Sequence, residues 1–356
     1  MKNLSRRDFL RMFAATLAAL AFDQFLIACG QRASTFETDT TIEARPTPTR
    51  DILPTRTPGT ISEELQTRQE LEPFPTSKAP NDTYLVVARG DGSGMVQPED
   101  LVRRGINALG GMERFVPRGA NVIVKPNICV AYHTYEYAAT TNPWVVATLV
   151  KLSLEAGANK VVVMDAPFGG TAEEAYARSG IADQVKIAGG EMVVMSHLKY
   201  AKTELPKGQD LKDCEIYDEI LKADVLIDVP IAKHHQLAGL TLGMKNLMGV
   251  IRNRQAIHRN IGQRLADLTS HIYPTLTVID AVRMLMDHGP TGGDLGDVKL
   301  MDTIIASPDI VAADSYAATL FGKKPDDLSY VKAGVAMQLG RSDLDKLKIE
   351  VIPVGT

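Results

Sequence analysis

The stretch KVVVMDAPFGG, residues 160–170, decides the fold class. An uninterrupted apolar run this short is typical of a strand that is buried in a parallel sheet. It follows a segment that Asn142 and Pro143 open as a helix N-terminus and that Gly157 ends. Another β-branched run, over residues 120–124, precedes that helix. Strand therefore alternates with helix, which predicts a parallel βαβ unit.

The same alternation extends over most of the chain. Further strands are predicted over residues 84–88, 191–195, 224–229, 276–279 and 300–305, with helices over 98–109, 261–272 and 307–322. The sequence predicts an α/β fold with a mainly parallel sheet flanked by helices. In such sheets ligands bind at the carboxyl ends of the strands, so we expect the ligand cleft there.

Composition restricts the class of function. Apolar residues make up 45% and charged residues 23% of the 356 residues, values typical of a globular protein. The formal charge is −4, and no long basic run is present, so no nucleic-acid partner is expected. Three cysteines cannot supply the four thiolates of a typical iron–sulfur cluster, so no cluster of the chain's own is expected.

Residues 1–28 are predicted to be a signal peptide. SRRDFLR, residues 5–11, is a twin-arginine export motif, and an apolar run over residues 12–22 follows it. LIACG, residues 26–30, resembles a lipobox in which Cys29 becomes lipidated. These features predict an exported protein, anchored through Cys29 to the extracytoplasmic face of a bacterial membrane. Residues 29–80, rich in Pro and Thr, are predicted to be a disordered tether, and residues 81–356 the α/β domain.

The residues suited to chemistry are concentrated in DVPIAKHHQLAGLTLGMKNLMG, residues 228–249. His234 and His235 follow an apolar strand, and a glycine-spaced segment then leads to Lys245 and Asn246. Histidine carries protons near neutral pH or ligates metals, whereas Lys and Asn bind anions and polar groups. We therefore interpret Lys245, His234 and His235 as catalytic residues, and Asn246 as a binding residue.

Residues elsewhere in the chain are predicted to join this site. Lys125 and Asn127 follow the 120–124 strand, and parallel strands bring their carboxyl ends to one edge. The backbone amides of Gly292 and Gly293 could cradle a phosphate or carboxylate, or belong to an ordinary glycine turn. Three alternatives are open for Asp165 and Asp280: binding a metal, orienting a histidine, or capping a helix. Two are open for Cys129 and Cys214: a disulfide or free thiols.

Several ordered blocks resemble the family known as domain of unknown function 362. They include VKPN at 124–127, KNLMG at 245–249, HGPTGG at 288–293 and SPD at 307–309, and the resemblance spans roughly residues 84–322. Members of that family are often linked to ferredoxin-type clusters. This chain lacks a cysteine-rich tail, so a redox reaction would require a separate redox partner.

A second resemblance is to the nickel-pincer lactate racemases, through His235, Ala238-Gly239, Gly243 and Lys245. It implies that Lys245 carries a covalent pyridinium-derived nickel cofactor and that His235 is a metal ligand or proton carrier. It implies His258 as a second metal ligand. The chain departs from that family at Leu242–Met244, where the family has paired glycines and an arginine before the lysine.

These observations leave three functions open. The first is an acid–base or redox enzyme, on a membrane-anchored lipoprotein, whose cleft binds a small anionic molecule or a cofactor. The second is a racemase or epimerase with a metal-pincer cofactor on Lys245. The third is a non-catalytic solute-binding or assembly lipoprotein, for which a neutral polar cleft would suffice.

Overall fold

A computed structural model describes residues 84–355 of the chain. Cys29, the predicted signal peptide and the predicted tether lie outside these residues. The described part contains twelve strands: β1 Leu85–Arg89, β2 Asn121–Pro126, β3 Lys160–Val163, β4 Glu191–Met192, β5 Tyr200–Glu204, β6 Asp213–Tyr217, β7 Val225–Val229, β8 Ile231–His235, β9 Gly239–Thr241, β10 Leu276–Leu285, β11 Val298–Ser307 and β12 Ile349–Pro353.

Ten α-helices lie in the same residues: α1 Pro98–Ala108, α2 Pro143–Glu155, α3 Ala172–Arg178, α4 Ile181–Ile187, α5 Asp218–Lys222, α6 Gly243–Asn246, α7 Gln255–His258, α8 Ile261–Thr269, α9 Ile310–Leu320 and α10 Ser329–Ala336. Short 3-10 helices connect some of them. Over residues 84–355, no helix combines the length and the apolar character that crossing a bilayer requires.

A central sheet in the order β12-β1-β11-β10-β7-β2-β3-β4 organises the described residues. The segment from β10 to β4 is parallel throughout, and β11 is antiparallel to both of its neighbours, β10 and β1. The mainly parallel α/β fold is therefore confirmed. A separate hairpin of β5 and β6, which the sequence did not predict, stands outside this sheet.

Helices cover both faces of the central sheet. Alternate residues of β1 show the division: Val86 packs in a core with α1, α2 and α4, whereas Leu85 packs in a core with α8, α9 and α10. Side chains point to opposite faces at successive strand positions, so a fully buried strand fills both cores. This explains why the predicted strands are continuous apolar runs rather than alternating ones.

Local chemistry explains the helix ends. Asn142 caps α2, since its side chain accepts a hydrogen bond from Trp144 N–H, and Pro143 occupies the first turn. Gly157 adopts a φ of 96° just beyond the helix, as predicted. The start of α9 was predicted too early, at residue 307: Asp309 caps the helix by accepting from Ala312 N–H. Ser307 belongs instead to the end of β11.

The segment after β7 forms a strand pair, which the sequence did not predict. β8 pairs in parallel with the outer half of β10 and antiparallel with β9. β10 has ten residues and β7 five, so β10 extends past the end of β7 and offers its edge to β8. His234 and His235 therefore lie in a strand, and this added pair raises one wall at the carboxyl edge of the sheet.

Candidate functional site

A cavity of about 360 Å³ lies at the carboxyl edge of the central sheet. It is bounded by the end of β2, the segment after β3, strand β8, and the chain from α6 to α7. The side chains that line it and carry polar atoms include Lys125, Asn127, Cys129, Asp165, Lys233, His235, Thr241, Lys245, Asn246, Arg254, Gln255 and His258. This volume is in the lower range of small-molecule sites.

Lys125 has no donor left for a ligand. Its ammonium, fully buried, donates to Asp165 Oδ1 at 2.8 Å, to the Pro126 carbonyl at 2.9 Å and to Asn246 Oδ1 at 3.1 Å. Asp165 also accepts from Ile128 N–H at 2.6 Å. The pair therefore holds the segment after β2 against the segment after β3. Asp165 is thus the ion-pair partner of Lys125, a role that none of the three alternatives named.

The ammonium of Lys233 likewise has all three of its hydrogen bonds engaged by the protein. Its buried ammonium donates to Ala139 O at 2.6 Å, and at 3.0 Å to both Asn127 Oδ1 and Pro290 O. Burial lowers the pKa of Lys233. No carboxylate is among the acceptors that residues 84–355 provide to this ammonium, so its positive charge is not neutralised locally.

Two amides join the two lysines into one network. Asn127 accepts from Lys233 and donates to Asn246 Oδ1 at 2.9 Å. Asn246 in turn donates to Asp228 Oδ1 at 2.8 Å and accepts from Lys125. Burial raises the pKa of Asp228 well above its usual value, and within the described residues its Oδ2 has no hydrogen-bond partner. Lys125, Asn127 and Asn246, which were predicted to bind a ligand, are therefore hydrogen-bonded to one another, and all three line the cavity.

Lys245 differs from the other two cavity lysines. It is 7% exposed, and within residues 84–355 its ammonium makes no hydrogen bond and no ion pair that would compensate burial. Burial is the main cause that lowers the pKa of Lys245 to about 7, and the charge of Lys233 adds to it. The neutral amine form of Lys245 is therefore far more accessible near pH 7 than it is for an exposed lysine.

The position of Lys245 is fixed by helix α6. Asp314 accepts from the N–H groups of Gly243 and Met244, at 2.7 and 3.0 Å, and so caps the helix start. Burial raises the pKa of Asp314 to about 7. A Cβ at Gly243 would lie 2.8 Å from Ile310 Cγ1, so the glycine lets the helix approach α9. Capping and close packing thus set the direction of the lysine.

His235 lines the cavity as a neutral imidazole. Burial, and then the charge of Lys245, lower the pKa of His235 to about 3. Its Nδ1 accepts from the N–H groups of Leu237 and Ala238, both at 3.2 Å. The ring proton of a neutral imidazole then resides on Nε2, so His235 presents a donor.

His258 faces the same cavity from α7, and its pKa is also lowered by burial and by Lys245. Within residues 84–355, no three His, Cys, Asp or Glu side chains are arranged to hold a metal ion. The attachment role implied for Lys245 fits its free amine. The metal-ligand role implied for His235 does not fit, because Nδ1 is engaged by two backbone donors and Nε2 bears the proton. We therefore derive no step through a nickel-pincer group.

Three predicted site residues lie elsewhere. His234 points to the opposite side of β8 from His235, as strand alternation requires, and its Nδ1 accepts from Gly289 N–H at 3.1 Å. Gly292 and Gly293 are outside the cavity, and their φ values of 64° and 142° fit a glycine turn. The expectation that His234 joins Lys245 is wrong, and of the two alternatives for Gly292 and Gly293 the glycine turn is the one that fits.

The remaining alternatives are resolved as well. Asp280 accepts from Asn142 N–H at 2.7 Å and from Val282 N–H at 3.0 Å, so it fixes the start of α2. Burial raises its pKa to about 6. Cys129 and Cys214 are free thiols, and Cys129 lines the cavity.

Sequence reasoning gave no site role to two cationic groups at the cavity. Lys233 lies two positions before His235 and so shares its face of the strand, a signal that requires recognising β8 as a strand. Arg254 precedes α7 and donates to Ala166 O at 2.6 Å, and nothing in its sequence context indicates this role. Asp165 is the one carboxylate among the described lining residues, and Lys125 neutralises it. The cavity therefore has a net positive charge.

The fold and the site define an α/β protein with a basic cavity at the carboxyl edge of a mainly parallel sheet. The chain belongs to the family described as Domain of unknown function (DUF362), whose model matches residues 122–319. It is similar to the thylakoid-associated protein sll1697 of Synechocystis sp., with 29% identity over 224 residues. That similarity covers 59% of this chain and 65% of the relative, less than two thirds of the relative's length.

Two solved structures overlap with part of the fold. The lactate racemase apoprotein from Thermoanaerobacterium thermosaccharolyticum has a TM-score of 0.42 and 15% identity, covering 66% of this chain and 56% of that one. A structural-genomics target from Thermotoga maritima has a TM-score of 0.40 and 14% identity, covering 63% of this chain and 59% of that one. Overlaps of this size assign no residue a role here.

Proposed function

We propose that the cavity is the active site of an acid–base enzyme that acts on a small anionic molecule, with Lys245 as the group that takes up and returns the proton. The observation that carries this proposal is the buried amine of Lys245, which has no partner within residues 84–355 and a pKa of about 7. A general base works best when its pKa is near the operating pH. Burying a lysine without a partner is costly, and a structural role would not require it.

The other cavity residues have complementary roles. Lys233 and Arg254 supply positive charge that attracts an anion, and Lys233 does so without giving up its own hydrogen bonds. His235 Nε2–H is available to donate to an oxygen of the bound molecule. Lys245 then removes a proton from a carbon next to a carbonyl or carboxylate group. The C–H electron pair stays on the substrate, and the proton returns from Lys245.

Deuterium exchange tests this proposal. The full chain is incubated in D2O with short 2-hydroxy, 2-oxo and amino acids, and loss of the proton signal next to the carboxylate or carbonyl is followed by NMR. We expect exchange with at least one of these acids, and its loss in Lys245→Met. Lys222→Met is the matched control, since the Lys222 side chain is 71% exposed and pairs with Asp218.

Two outcomes would contradict the proposal. Saturable binding of the acids without exchange would favour the non-catalytic solute-binding alternative. Exchange that survives in Lys245→Met would assign the proton transfer to another group, such as Cys129.

We also propose that the domain works outside the cytoplasm, held at a membrane by lipid on Cys29. The support is the ordered pair of export and lipobox motifs in residues 5–11 and 26–30. More than one acyl chain is required for stable anchoring, and lipoprotein processing would supply them.

A further inference from the structure

We propose that Lys245 forms an imine with the carbonyl carbon of its substrate, and that the substrate is a small carboxylate that also carries a ketone or aldehyde, such as a 2-oxo acid. The inference rests on the proposed function and deepens it: Lys245 promotes the same proton transfer through an imine rather than as the base itself, and this names the substrate class. An acid–base enzyme that used Lys245 as a base alone would accept anions without a carbonyl.

The hydrogen bonds at the cavity single out one amine. Lys125 and Lys233 each donate to three protein acceptors, so neither has a free lone pair or a free path to a ligand. Lys245 makes no such bonds within residues 84–355, and it lines the cavity. An amine must be unprotonated and unengaged to attack a carbonyl carbon, and Lys245 alone among the three meets both conditions.

Burial and a nearby cation make the Lys245 amine more nucleophilic. A lysine becomes nucleophilic when it is desolvated or lies near another cation, because both effects disfavour the ammonium form. Both causes act on Lys245, with burial first and Lys233 second. Near pH 7 the free amine of Lys245 is therefore accessible, whereas an exposed lysine is almost entirely protonated.

The same cations explain why the substrate is a carboxylate. Lys233 carries a charge that no carboxylate in the described residues neutralises, and Arg254 lies in the wall of the same cavity. A bound anion would offset the repulsion between these positive charges. The cavity thus combines a nucleophile for a carbonyl with charge for a carboxylate.

The chemical step balances without an oxidant or a reductant. The Lys245 nitrogen adds its lone pair to the carbonyl carbon, and a C–N bond forms. The carbonyl oxygen leaves as water with the two amine protons, which yields the neutral imine. Protonation of the imine from solvent makes it an electron sink, so that the neighbouring C–H bond becomes acidic and loses its proton to water, since the Lys245 lone pair is engaged in the imine. Hydrolysis reverses these steps and returns the free lysine.

Borohydride trapping tests the imine. The full chain is incubated with pyruvate at pH 7 and reduced with sodium borohydride, and the product is analysed by intact mass and peptide mapping. We expect one carboxyethyl group per chain, on Lys245, with the exposed lysines labelled at most to a small fraction of that level. Lactate, which has no carbonyl, should leave no adduct.

Variants give the matched controls. Lys245→Arg keeps a cation but cannot form an imine near neutral pH, and Lys245→Met has no nitrogen, so both should lose the adduct. Lys222→Met should keep it. Labelling spread over exposed lysines, or unchanged in Lys245→Arg, would overturn the inference.

The deuterium exchange described above separates the two proposals. Exchange that depends on Lys245 but leaves no trapped adduct would reject the imine and retain the acid–base enzyme. Absence of binding, exchange and adduct with every probe would reject both.

Discussion

Replacing Lys245 by methionine should stabilise the protein while abolishing its activity. The buried ammonium has a pKa of about 7 in the folded state, against 10.5 for the exposed side chain of the unfolded chain. The difference corresponds to about 5 kcal/mol at 1.36 kcal/mol per pH unit, a cost to the folded state. Methionine has a similar volume and no charge, so the variant removes the cost without leaving a large cavity.

The gain should depend on pH in a defined direction. Unfolding takes up a proton at Lys245 between pH 7 and 10.5, so wild-type stability rises with pH across this range. We expect Lys245→Met to be more stable by about 3 to 5 kcal/mol at pH 6, the lower figure allowing for water near the ammonium. At pH 10 the gain should fall below about 1 kcal/mol.

Urea unfolding of the full chain, followed by circular dichroism at pH 6 and pH 10, measures the stability difference between Lys245→Met and wild type. Lys222→Met serves as the control and should change stability by less than about 0.5 kcal/mol, since exposed ion pairs contribute little. A variant less stable than wild type at pH 6, or a gain that is the same at both pH values, would refute the reasoning. Lys245 would then have a partner, and the proposed free amine would not exist.

Three further predictions concern other parts of the chain. Gly249→Ala would place a Cβ 2.7 Å from Lys125 Nζ and in overlap with Asp165, so we expect a loss of about 3 kcal/mol in urea unfolding; Gly105→Ala, where the nearest contact is an ordinary 3.7 Å, should lose nothing. Cys29→Ser should release the protein from membranes in cell fractionation, and unchanged fractionation would contradict the lipobox prediction. A chain starting at Asn81 should melt as the mature chain does; a large fall in Tm would mean that the predicted tether packs on the domain.

The central sheet could be predicted because its signals are local. Strands β2, β3 and β7 are continuous apolar runs since both of their faces are buried, and α2 carries its own cap and terminating glycine. The approach of Lys125 to Lys245 followed from one rule about parallel strands, although 120 residues separate them. Such inferences require only the pattern near each residue and the direction of the chain.

The wall formed by β8 and β9 could not be predicted in the same way. β8 is a strand because β10 extends beyond β7 and offers an edge, and that edge is created by the tertiary fold. Without knowledge of that edge, the sequence does not show that residues 231–235 form a strand. The opposite orientations of His234 and His235 could therefore not be predicted. The distinction between Lys245 and the two committed lysines is equally non-local, since it depends on carbonyl groups such as Ala139 O and Pro290 O.

The network of Lys125, Asn127, Lys233 and Asn246 also bears on how new specificities could arise in this family. Each of these side chains satisfies another, so a substitution at any one leaves a buried polar group without its partner. The side chains of Phe168 and Leu237 also line the cavity, are apolar and 59% and 65% exposed, and take no part in this network. Adaptation to a longer or bulkier substrate should therefore proceed by exchanges at Phe168 and Leu237, and directed evolution of this scaffold would begin there.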